Sequence, residues 1–107
     1  MINAVIYNKD GKTYGFRISG HADYSPRRGG VLDIVCSAVS MLVINTVNSI
    51  EKLTDADADV KTNEEKGLIE LRLNNPPDDA VLLINSLILG LRSVEEEYSD
   101  YIKVSEE

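Results

Sequence analysis

The sequence predicts an α+β fold: a single-domain sandwich over residues 1–107, built on a mostly antiparallel mixed sheet with two main helices in the order ββαββαβ. Three observations lead there. Apolar and polar residues alternate with period two in 2–19 and again in 58–73, whereas 34–53 and 78–98 switch to spacings of three and four. No linker-like stretch divides the chain. A single core in a chain of this length buries roughly two-thirds of the unfolded surface and needs neither disulfide nor metal.

Each element has its own signal. Ile2, Ala4 and Ile6 alternate against Asn3, and Tyr14, Phe16 and Ile18 alternate with Gly15, Arg17 and Ser19, so 2–19 read as a hairpin. Asn8-Lys9-Asp10-Gly11-Lys12 supplies the turn, because glycine reaches positive φ without steric cost. From Ile34 to Leu53, the positions Val35, Val39, Leu42, Thr46, Ile50 and Leu53 mark a helix. Its first half is apolar almost all round, which calls for cover by the sheet and by a second helix or another subunit. Residues 58–62 and 68–73 form a second hairpin, with Ile69, Leu71 and Leu73 inward. Pro76-Pro77-Asp78-Asp79 opens the second helix, where proline is tolerated and acidic residues favour the helix dipole. Leu83, Leu87, Leu91, Val94 and Tyr98 continue it, and 101–104 close the chain as a strand at a sheet edge.

Charge narrows the partners. The formal net charge of −7 argues against gripping a phosphate backbone, which needs clustered Lys and Arg, and favours a basic partner. The acidic groups at 55–59, 63–65, 77–79 and 95–97 read first as solvated edges. A lone cysteine makes no internal bridge, and the N-terminal residues lack a charged leader, so the expected compartment is a reducing cytoplasm. No fully apolar run approaches the roughly 20 residues that span a bilayer, and no membrane partner is expected. A metal site would need scattered carboxylates to join one His and one Cys. Neither a metal nor a cofactor is expected.

The chemistry concentrates where the second strand gives way to the first helix. His21 and Cys36, the only residues of their types, flank a Gly- and Arg-bearing loop. A thiol becomes a nucleophile as thiolate, and an imidazole or a helix N-terminus can hold it so. Asp33 reads as the N-cap of the helix, which would put Cys36 in the first turn near unpaired backbone N–H groups. His21 would then serve as base and later as proton donor. The competing reading is an inert core cysteine and a structural histidine. Arg27 and Arg28, with Gly29 and Gly30 beside them, sit in a loop that reads as exposed and mobile. The two arginines either hold substrate carbonyls or carboxylates or are simply solvated. A Gly-x-x-x-x-Gly-Lys pattern is missing, so this loop is no phosphate cradle.

Gly20-His21-Ala22, followed by Asp33-Ile34-Val35-Cys36-Ser37-Ala38-Val39-Ser40, resembles the signature of the ribosomal-processing cysteine protease family, called Prp. The resemblance runs over nearly the whole chain. It implies a small cytoplasmic homodimer, with Cys36 as nucleophile, His21 as base and Asp33 as a third member. It also implies removal of the N-terminal extension of large-subunit ribosomal protein twenty-seven, cut after a pair of aromatic residues. The alternative is a non-catalytic ribosome-assembly or interaction module whose acidic surface binds a basic ribosomal protein.

Overall fold

Asp10 and Gly11 both take positive φ, 53° and 77°, and fold strands β1 (Ile2–Lys9) and β2 (Lys12–Ser19) into a two-residue hairpin. A computed structural model describes residues 1–20 and 30–107 of the chain, the side chains of Leu32 and Asp33 excepted. After the hairpin come α1 (Val31–Leu53), β3 (Asp57–Asn63), β4 (Leu68–Asn74), α2 (Asp78–Glu97) and β5 (Ile102–Glu106), so the order ββαββαβ agrees with expectation. The sheet runs β3-β4-β2-β1-β5. All pairs are antiparallel except β1 with β5, which are parallel.

The alternation of the strands decides the layering. Ile2, Ala4, Ile6, Phe16, Ile18, Leu71, Leu73, Ile102 and Val104 are buried and share a core with Val35, Val39, Val43 and Ile50 of α1 and Ala80, Ile84, Leu87 and Leu91 of α2. Both helices therefore cover one face, and the sandwich has two layers rather than three. Burying each large aliphatic residue of that set contributes on the order of 1.5–3 kcal/mol.

Two positions depart from the periodic pattern. Tyr14 does not turn inward: the register passes from Tyr7↔Gly15 to Asn8↔Thr13, so Tyr14 is the extra residue of a β-bulge. Thr13 takes the helix side instead, and its hydroxyl donates to Asn85 Oδ1 of α2 at 2.9 Å. Tyr14 stacks on Tyr7 across the open face, ring centroids 5.7 Å apart. Leu53, the last position of the helical spacing, is 74% exposed, because the buried stripe 35-39-43-46-50 points past it to Thr54, whose hydroxyl donates to Ile50 O.

The open face carries a polar network that covers Tyr7. Its hydroxyl donates to Glu70 Oε2 at 2.6 Å, Arg72 Nε donates to Glu70 Oε1 at 3.3 Å, and the Arg72 guanidinium lies 4.5 Å from the Tyr7 ring centre. Gly15 is required beneath it, since a Cβ there would run into the Leu71 carbonyl oxygen and lie 3.2 Å from the Tyr7 ring.

By length and average composition, Ile34–Leu53 is apolar enough to cross a membrane, contrary to the reading from uninterrupted runs. In this fold it is a core helix, with Val35, Val39 and Ile50 fully buried against the sheet.

Candidate active site

The crossover from β2 to β3 fixes which end of the sheet carries the candidate chemistry. Ile18 of β2 pairs with Ile69 of β4, which pairs with Thr62 of β3, so β2 and β3 run parallel. The connecting helix α1 must return along the sheet, its N-terminal end lying where β2 finishes. With 23 residues it is about 35 Å long, enough for the whole return.

Gly20 ends β2 at φ +89°, a conformation that side-chain-bearing residues rarely adopt. It also packs so closely on the start of β1 that a Cβ would strike the Met1 carbonyl oxygen. His21 follows it directly in the chain, but His21, Arg27, Arg28 and Gly29 lie outside the described residues.

The helix begins earlier than the cap chemistry suggested. Gly30 is the N-cap, exposed and extended at φ −87° and ψ −179°, without a side-chain cap bond, and Ile34 N–H donates to Gly30 O at 3.4 Å. Asp33 is thus the third residue of α1 and not its cap. Aspartate favours N-caps but is also common in the first turn, so the sequence alone does not separate the two positions. Cys36 consequently sits in the second turn. The free amides at the mouth of α1 belong to the residues before Ile34, and the dipole's influence fades within that first turn. A thiolate at Cys36 therefore needs a partner other than the helix end.

Cys36 is half-buried on the flank of α1. Val35 and Val39 beside it are fully buried, and Cys36 packs against the core without being enclosed by it. That intermediate setting differs from the fully buried core cysteine of the competing reading, because the residue keeps some accessible surface.

The 600 Å³ cavity lined by Lys9, Lys12, Tyr14, Asn75 and Pro76 lies at the hairpin turn, the other end of β2, roughly 20 Å along the strand from its exit. It is no part of this site. Among the described residues no three of His, Cys, Asp or Glu come close enough to hold a metal ion.

The cysteine protease Prp family model matches residues 1–103. The chain belongs to the cysteine protease Prp family. Among its relatives, the ribosomal processing cysteine protease Prp of Staphylococcus aureus is 28% identical over 102 residues, covering 94% of this chain and 93% of that protein. The Prp of Bacillus subtilis is 27% identical over 111 residues, covering 98% and 96%. The crystal structure of S. aureus Prp with a substrate peptide matches at a TM-score of 0.91 and 29% identity over 100% of both chains. The same protease with a covalently linked product peptide matches at 0.88 and 30%, again over 100% of both. As a Prp family member the chain is a cysteine protease. The Prp fold also accounts for the two-layer sheet and helix arrangement built above from burial alone.

Proposed function

We propose that the chain is a cytoplasmic processing endopeptidase that removes the N-terminal extension of large-subunit ribosomal protein twenty-seven, with Cys36 as nucleophile and His21 as base. The observation that carries this reading is that Cys36 is the sole thiol of a cysteine protease and is half-buried on the flank of α1, within reach of a reactant. His21 takes the thiol proton, Sγ attacks the scissile carbonyl carbon, and His21 returns the proton to the leaving amine. Water then hydrolyses the thioester with the same imidazole as base. The product-linked S. aureus relative is consistent with such a covalent route.

Asp33 is the candidate that would orient the imidazole, and Arg27 to Gly30 are candidates for substrate contact. A net charge of −7 suits a basic substrate protein. The active species is a homodimer. Its support is the outer face of the helix layer, where Ile34, Met41 and Ile44 of α1 and Leu82 and Leu89 of α2 are all at least half exposed. Incubation with the unprocessed ribosomal protein, followed by mass measurement, should release one peptide ending in aromatic residues. An unchanged mass would reject the assignment.

A further inference from the structure

The two edges of this sheet are treated differently. At β5 the outward backbone groups of Val104 are closed by α2: its N–H donates to Glu95 Oε2 at 2.6 Å, and its carbonyl accepts from Arg92 Nη1 at 3.2 Å. Such closure blocks another chain from pairing there. At β3, among the described residues, only the side toward β4 is used. Among the described residues the bonds that reach β3 from elsewhere end on side-chain oxygens, Asn74 Nδ2 to Asp57 Oδ2 at 3.5 Å and Lys66 N–H to Asn63 Oδ1 at 3.2 Å. Among the described residues the outer ladder of β3 is open.

The chemistry of that edge selects an occupant. Ala58 and Val60 point toward the helices and are only half-buried, since among the described residues no strand lies beyond them. Asp57 and Asp59 point to the opposite face and are exposed, with Asp55 exposed just before the strand and Glu64 and Glu65 exposed after it, against Lys61 and Lys66. A parallel in-register copy of β3 would set Asp57 and Asp59 against their own kind, and an antiparallel copy centred on Asp59 would still oppose Asp59 to Asp59, which destabilises that pair. An extended segment alternating apolar and basic residues would cover Ala58 and Val60 and pair with the aspartates.

We infer that the β3 edge is an exosite that captures a basic, extended segment of the substrate protein as a sixth strand, away from the scissile bond. The inference rests on the protease reading for its substrate, but its geometry is independent of it. Thr62 of β3 stands level with Ile18 of β2, so the C-terminal end of this edge lies at the sheet end where β2 hands over to His21. Two strand spacings, about 10 Å, separate them. A segment zipped along β3 therefore delivers its continuation to the candidate active site, adding backbone hydrogen bonds for affinity and charge for selectivity.

The test is a comparison of Asp57→Asn/Asp59→Asn with the parent on two substrates, together with amide hydrogen exchange on Cys36→Ala. The double variant should raise KM for the full precursor by about tenfold, with kcat and the cleavage of a short peptide spanning only the scissile bond unchanged. Equal KM for the precursor in both proteins overturns the exosite, while continued cleavage of the short peptide leaves the protease reading standing. Failure of the parent to cut either substrate rejects that reading alone. The exchange arm needs no turnover. Adding a soluble synthetic peptide of alternating lysine and valine should slow exchange across Asp57–Asn63, and unchanged rates there overturn the inference. Slow exchange that grows with protein concentration and needs no peptide would mean self-pairing and overturn it as well.

Discussion

Replacing Gly20 by alanine should separate the positioning of the active site from the stability of the fold. The new Cβ faces two obstacles: a backbone at φ +89°, and the Met1 carbonyl oxygen directly in its path. The first costs about 1–2 kcal/mol for an L residue. The second is not relieved at β1, because Ile2 N–H is tied to Tyr101 O at 2.8 Å and Ile2 pairs with Ile102. The end of β2 must move instead. A total of about 1–3 kcal/mol corresponds to a fall in Tm of roughly 4–20 °C in a domain of this size. The activity loss should be larger in proportion, because His21 is the next residue and a shift of about 1 Å in a catalytic group can lower turnover 100-fold. Thermal melts and kcat/KM on a peptide substrate measure both. Gly15→Ala is the control, since its Cβ meets Leu71 O in the middle of the sheet, so it should lower Tm and spare kcat/KM in the folded fraction. Wild-type kcat/KM in Gly20→Ala would refute the view that this glycine aims the histidine.

Cys36→Ala should abolish peptide cleavage and change stability by no more than about 1 kcal/mol, as judged by mass spectrometry and melting. Asp33→Asn should lower kcat by orders of magnitude if Asp33 orients His21, whereas near-normal turnover would remove it from the catalytic set. The hydrogen bond from Tyr7, aided by Arg72, holds Glu70 below its ordinary value near 4.5, so its stabilising contribution is present above that pH and fades as pH falls below it. Burial first, and then the bond to Glu70, push Tyr7 above 10.0, so its contribution is lost as pH rises past that value. Melts across pH should therefore show a shallower acid limb for Glu70→Gln, and an unchanged limb would discount the pair. Met41→Glu with Leu89→Glu alters residues 70% and 73% exposed, so each folded chain should keep its stability while light scattering reports monomer in place of dimer.

Most of the fold was legible because period and turn chemistry are local. Asp10-Gly11 announced the first turn, and Phe16, Ile18, Leu71 and Leu73 showed the inward face by alternation alone. Tyr14 escaped because a bulge shifts the phase of one strand against its partner, a property of the pair that neither strand displays alone. The start of α1 escaped because Asp33 satisfies cap statistics while Gly30 takes the cap position through backbone conformation. At the site, residue types and the Gly20-His21-Ala22 motif pointed to Cys36 and its family. Its half-burial, and its distance from the free amides of the helix end, depend on where α1 begins.

The parallel pairing of β1 with β5 has a consequence for biosynthesis. Ile2 to Ile6 hydrogen-bond with residues 102 to 106, so β1 waits through the synthesis of every element between them for its parallel partner. Until then the hairpin, both helices and the second hairpin can associate, yet β1 presents a bare flank rich in Ile, Val and Ala. Only the arrival of β5 covers it, and only then do Arg92 and Glu95 find Val104 to close. Pairing over such sequence separation is slow and leaves sticky intermediates. A chain halted short of Ile102 should therefore be a poor protease and a ready aggregator. The sheet is completed late, when β5 docks beside β1.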